Sequence, residues 1–248
     1  MDFKGKKELK RVSMKAVLFD LDGTLLPMDQ DKFVMTYLGL LAKRLAVKGY
    51  DAEKLMKVMW AGVGAMVKND GSCTNEETFW KVFVEAFGEE TVKDRPFIDE
   101  FYSTEFNQVS QVCGFAKEAK EIIELVKEKG KIPVLATNPL FPQMATKNRI
   151  RWAGLEPEMF AAYTTYEDCH YCKPNPKYYL ELLEKLNLKP EECIMVGNDY
   201  DEDMVPTKAI GMQGFLLTDC LINKNEQDLS NCPQGDFQEL KEYLQNNL

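Results

Sequence analysis

The feature that most constrains this chain is a four-residue apolar run, Ala16-Val17-Leu18-Phe19, that ends at once in Asp20-Leu21-Asp22-Gly23-Thr24. A short run of this kind, bounded by polar and turn residues, reads as a strand buried on both faces, which is how parallel sheets are built. In an open α/β sheet, ligands bind at the carboxyl ends of the strands, so the two carboxylates fall where a site is expected. Period-two geometry would send Asp20 and Asp22 the same way if the strand continued, but Gly23 breaks it. Two carboxylates this close repel, and each resists ionising. A divalent cation removes that conflict and prefers oxygen ligands.

Further along, short apolar runs alternate with helical patterns. Runs at 132–136, 193–196 and 214–217 read as strands, and 160–163 as another. Ala119, Ile122, Ile123 and Val126 recur at the spacing of one helix face, as do Tyr179, Leu182, Leu183 and Leu186. The second of these helices has a clear start: Asn175 caps it and Pro176 suits its first turn. Strands alternating with helices predict an α/β fold, a Rossmann-like parallel sheet flanked by helices.

The stretch from Met28 to Ser110 breaks the alternation. It offers helices at roughly 30–48, 52–68, 75–88 and 96–110 and no convincing strand. Thr74 with Glu77 forms a capping-box pattern for the third helix, and Asn69-Asp70-Gly71 is a turn signal. The expected organisation is a core domain from 1–27 and 111–248, with an all-helical cap domain, 28–110, inserted after the first strand. Such an insert is the signature of a lid, set against the plainer reading of a helical domain that only stabilises. Segment 223–235 is polar and reads as a surface loop before a last helix at 237–244.

Composition removes several classes. With 248 residues, 45% of them hydrophobic, the chain can bury a sizeable core. No apolar run approaches the ~20 residues of a membrane span, and residues 1–14 are polar and lysine-rich without the apolar segment of a secretory signal. A net charge of −9 argues against a general role on nucleic acid. Seven cysteines, an odd count, fit reduced thiols in the cytoplasm. Cys169 and Cys172 form one C-x-x-C around the single histidine, His170, and a structural zinc site wants four ligands. Two ordinary thiols are the better reading. Glu167 and Asp168 either line the phosphate side or are loop charges, the second being the better reading, and Asp201 and Glu202 read as solvated charges. Met56, Met59 and Met66 with Trp60 read as packing rather than a substrate box.

Asp20-x-Asp22-Gly23-Thr24 after a hydrophobic strand resembles the first motif of the haloacid dehalogenase superfamily, most of whose members are phosphatases. Three further segments follow in the family's order. Val134-Leu135-Ala136-Thr137-Asn138 resembles the second motif, Lys173-Pro174-Asn175-Pro176 the third, and Ile194-Met195-Val196-Gly197-Asn198-Asp199, with Asp203 behind it, the fourth. The insert between the first two motifs is similar to the family's helical-cap type. The resemblance implies a phosphomonoesterase acting on a small phosphorylated metabolite with Mg2+. It makes Asp20 the nucleophile and Asp22 the acid and base, with its main-chain carbonyl on the metal. Thr137, Asn138 and Lys173 would hold the phosphoryl group, and Asp203 would support the site.

One position departs from the family pattern. Asn198 stands where an aspartate usually ligates the metal, so both Asn198 and Asp199 are candidates for the third protein ligand. Asp22 itself discriminates, because a leaving alkoxide needs a proton and a leaving halide does not. The alternatives are a phosphomutase or a haloacid dehalogenase of the same fold, or a non-catalytic binding or regulatory protein. Neither the substrate nor the oligomeric state is legible.

Overall fold

A computed structural model of the protein describes residues 13–248; all but the last two residues of the polar, lysine-rich stretch 1–14 noted above lie outside that range. The sheet has five parallel strands: β1 (Ala16–Phe19), β2 (Ile132–Leu135), β3 (Cys193–Gly197), β4 (Gln213–Leu217) and β5 (Gln234–Gly235). Their order is β2-β1-β3-β4-β5, and β1 pairs in parallel with β2 on one side and β3 on the other. The chain therefore leaves β1 for one edge and returns across it to β3. The strand order reverses between β1 and β3, and that reversal opens the crevice where such sheets bind ligands.

The sheet's two faces follow from alternation along β1. Val17 and Phe19 join one apolar cluster with Ile122 and Ile123 of α5 (Lys117–Glu128). Ala16 and Leu18 join the other with Tyr178, Tyr179, Leu182 and Leu183 of α7 (Pro176–Lys185). Every β1 residue is fully buried, as a central strand covered on both faces requires. The start of α7 is as the sequence suggests: the Asn175 side chain accepts from the Lys177 amide, and Pro176 is the first helical residue.

Between β1 and β2 the described chain is helical: α1 (Gln30–Ala46), α2 (Ala52–Val67), α3 (Asn75–Phe87) and α4 (Arg95–Ser103) precede α5. Thr74 and Glu77 form the expected capping box on α3. The two ends of this stretch meet, since the Gly114 amide donates to the Pro27 carbonyl at 2.7 Å and Met28 bridges Cys113.

Four details differ from the sequence reading. The helix expected over 96–110 stops at Ser103, where Thr104 leaves helical backbone, and resumes as a 3-10 segment, Glu105–Val112. The run at 160–163 is not a full strand; it lies along β2 through a bridge at Tyr163. The loop expected over 223–235 ends in β5, which exists only through its pairing with β4. Helix α6 (Gln143–Trp152) carries no strong apolar periodicity and was not anticipated; its first amide is capped by the Glu167 carboxylate at 2.9 Å. The remaining helices are α8 (Val205–Ala209) and α9 (Phe237–Asn247).

Candidate active site

Strand β1 delivers Asp20 to the carboxyl edge of the sheet, where its amide bonds the Val196 carbonyl of β3 at 2.9 Å. Its carboxylate is held at both oxygens. Lys173 Nζ donates to Oδ1 at 2.8 Å, and the Thr24 hydroxyl donates to Oδ2 at 3.2 Å. The same ammonium donates to Asp203 Oδ1 at 2.7 Å. Burial works against the charge of Lys173, but Asp20 and Asp203 more than offset it and hold the ammonium charged. One cation shared by two buried carboxylates leaves a net negative cluster. Burial accordingly raises Asp203 above the usual carboxylate range, although Lys173 pulls it down.

Asp22 is placed differently. Arg149, fully buried in α6, donates to its Oδ2, and Asp22 Oδ1 is buried with no hydrogen-bond partner. Burial raises this carboxyl above its ordinary value; the Arg149 guanidinium pulls it down and Asp20 pushes it up. Asp22 is thus a carboxyl with one oxygen fixed, the other free and a bias toward protonation, which suits proton donation. Arg149 was not singled out from the sequence. Its clue is an arginine within a short helix whose neighbours Ala145 and Ile150 are buried.

The other expected residues gather at the same edge. Thr137 follows β2 and is fixed through its main-chain carbonyl, which accepts from Thr164 at 2.6 Å and Tyr178 at 2.9 Å. Asn138 spans two partners: its Oδ1 accepts from the Lys173 amide and its Nδ2 donates to Glu202 at 3.0 Å. Asp203 also receives the Asp199 amide at 3.1 Å and the Tyr179 hydroxyl. Glu202, read from the sequence as a solvated charge, instead faces the same cavity, and burial pushes it up to about 7.

Asn198 and Asp199 separate clearly. Asn198 Oδ1 and Asp20 Oδ2 share the single Thr24 hydroxyl proton, at 3.0 Å and 3.2 Å, while Asn198 Nδ2 donates to the Cys220 carbonyl at 2.7 Å. Asp199 spends its Oδ1 on the amides of Asp201 and Glu202, capping the turn that follows. Gly23 makes room for this arrangement. Its φ is +88°, and a Cβ there would stand 2.3 Å from Asn198 Nδ2.

Among the described residues no three His, Cys, Asp or Glu side chains group as a metal site. A cation here would need a mixed oxygen set, and the residues that could supply one are the Asp20 carboxylate, the Asn198 amide oxygen, which shares the Thr24 hydroxyl with it, and the main-chain carbonyl of Asp22, which accepts from Gln30 at 3.2 Å. Hard oxygens of this mixture suit magnesium. Cys169 and Cys172 stand apart; both are buried free thiols, and burial pushes Cys169 up to about 12.

Asp20, Asp22, Thr137, Asn138 and Asn198 open on one cavity of about 640 Å3. Met59, Trp60 and Met66 of α2, read above as packing, line its far side; Met56 does not.

A family model described as haloacid dehalogenase-like hydrolase matches residues 14–211. The chain is 26% identical over 208 residues to a ribulose-1,5-bisphosphate 5-phosphatase of Halopiger xanaduensis, covering 82% of this chain and 84% of that one. It is 28% identical to a phosphoglycolate phosphatase of Vibrio parahaemolyticus, covering 83% and 84%. Among solved structures, a 2-haloacid dehalogenase from Pseudomonas syringae pv. Tomato superposes with a TM-score of 0.63 at 20% identity, over 94% of this chain and 99% of that one. A phosphatase from Thermococcus onnurineus gives 0.58 at 22%, over 93% and 98%.

Proposed function

Because the chain belongs to the haloacid dehalogenase-like hydrolase family, we propose that it hydrolyses a small phosphomonoester with magnesium, through a phosphorylated Asp20. The observation that carries this reading is the division of labour between two neighbouring carboxyls. Asp20 is held ready beneath Lys173, and Asp22 is held by Arg149 with one oxygen free. The relatives named as phosphatases point the same way. A dehalogenase has no use for Asp22, since halide leaves without a proton.

In the first step an Asp20 oxygen attacks phosphorus, and the bond from phosphorus to the ester oxygen breaks. Asp22 gives that oxygen its proton, so the alcohol leaves neutral. In the second step a water attacks the phosphoryl group on Asp20, and Asp22 takes the proton back. Phosphate leaves and Asp20 is restored. Lys173 and the Thr137 hydroxyl stabilise the charge on the phosphoryl oxygens, while Asn138 and Asp203 position Lys173. Asp20, the Asp22 carbonyl and Asn198 would hold the magnesium, which when bound withdraws charge from the phosphoryl group. Asn198 is preferred to Asp199 because its Oδ1 shares the Thr24 hydroxyl with Asp20, while the Asp199 Oδ1 caps a turn.

Residues 28–110 are proposed to act as a cap domain over a core formed by the rest, because their two ends meet at Pro27–Gly114 while α1 and α2 wall the cavity. Release of phosphate from p-nitrophenyl phosphate, stopped by EDTA and restored by magnesium, is the expected result. Magnesium-independent release, or none at all, would count against the proposal.

A further inference from the structure

The far wall of the cavity says what kind of alcohol can leave. Helix α1 turns Phe33, Val34 and Tyr37 into it. Helix α2 contributes Met59, Trp60, Val63 and Met66, which recur along one helix face. Phe79, Tyr102, Leu140, Phe141 and Tyr166 close the wall. The polar atoms of this wall are few, and two of them are already used: the hydroxyls of Tyr37 and Tyr102 bond one another at 2.9 Å. Trp60 is the most exposed of these wall residues, with 55% of its surface exposed. A large exposed indole on a cavity wall, unneeded for packing, is an apolar surface waiting for an apolar partner.

The charges are as telling. Besides the catalytic acids, Asp29, Asp31, Asp199 and Glu202 line the cavity, and Lys224 is the one basic residue that does so among the described residues. Lys224 shares the cavity with Asp199 and the other acids that line it. Lys173 and Arg149 are both engaged by carboxylates. A substrate carrying a second anion, a carboxylate or another phosphate, would bring it into an apolar, acid-flanked chamber where, among the described residues, Lys224 is the one basic lining residue and the carboxyls around it outnumber it.

From this, and resting on the phosphatase reading above, we infer that the preferred substrates are phosphomonoesters of uncharged apolar or aromatic alcohols. Esters bearing a second anionic group are discriminated against. The preference sets this chain apart from the relatives named for ribulose bisphosphate and phosphoglycolate.

The test compares 4-phenylbutyl phosphate with phosphoglycolate, two alkyl esters, so that the acidity of the leaving alcohol matters less than its side chain. The expected kcat/KM ratio favours 4-phenylbutyl phosphate by tenfold or more. Trp60→Ala is expected to shrink that ratio through KM, and Val63→Lys to move it toward phosphoglycolate. An equal or reversed ratio in the wild-type protein, or a ratio indifferent to both variants, overturns the inference while leaving the phosphatase reading intact. If neither ester nor p-nitrophenyl phosphate releases phosphate, the phosphatase reading fails. The inference is then decided by calorimetric binding of 4-phenylbutylphosphonate against phosphonoacetate, with tighter binding of the first expected and equal or weaker binding overturning it.

Discussion

Arg149 on α6 and Asp22 just beyond β1, 127 positions apart in the chain, form an ion pair in which the guanidinium is fully buried and the far carboxylate oxygen stays unpartnered. The pair fixes the orientation of the carboxyl proposed to move the proton. It also joins the β2–α6 side of the sheet to the residues at the end of β1.

Arg149→Met is expected to leave Asp22 buried without its cation. Breaking a buried pair at one partner costs on the order of 3 kcal/mol, so the melting temperature falls clearly. Arg149 is the larger of the two cationic influences that lower the Asp22 carboxyl, so its loss raises that group further. Asp22 must be protonated to donate, and the alkaline limb of kcat/KM against pH therefore moves upward. A limb that stays in place, or moves down, would show that Arg149 does not act through Asp22.

Lys173→Met removes the charge shared by Asp20 and Asp203. Activity is expected to fall by about 10²-fold or more, the usual cost of one preorganised electrostatic group. Stability falls as well, since two buried carboxylates are left facing each other. Adding Asp203→Asn relieves part of that repulsion, so the double variant melts higher than the sum of the two single effects predicts. Strict additivity would mean the three groups do not act as one network.

Asn198→Asp adds a charge to the proposed magnesium site. The metal is expected to bind about tenfold more tightly and to raise the melting temperature more than in the parent chain, while the metal-free variant melts lower. Asp199→Asn is expected to leave the turn cap nearly intact, since Asn caps about as well as Asp, with the magnesium response retained. Thermal melts across a magnesium titration separate the two residues; the opposite pattern would make Asp199 the ligand.

Gly23→Ala combines a strained backbone, at φ +88°, with a methyl group 2.3 Å from Asn198 Nδ2. The expected cost is about 1–3 kcal/mol. Because Asn198 must move, the magnesium-induced rise in melting temperature shrinks too. A variant of normal stability and normal magnesium response would contradict the role given to Gly23.

What the sequence made legible was local. The run into Asp20, the caps at Thr74 and Asn175, and the helical character of 30–103 depend on neighbours a few positions away, and each is found in the structure. What stayed hidden depended on distant partners. Strand β5 is two residues long and is defined only by β4 beside it. Arg149 sits in a helix of weak periodicity, and its meaning comes from Asp22. The different partners of Asn198 and Asp199, Thr24 for one and the turn amides for the other, became visible only in the structure. The apolar face of α2 could be read as helix packing, and Met59 and Met66 are buried, but only the cavity showed which way that face points.

The central claim is that Asp20 is the nucleophile, and the direct measurement is phosphate release from p-nitrophenyl phosphate by Asp20→Asn with saturating magnesium, against the unaltered chain. The account predicts release reduced to the uncatalysed background in a protein that still folds. Release at the wild-type rate would contradict it.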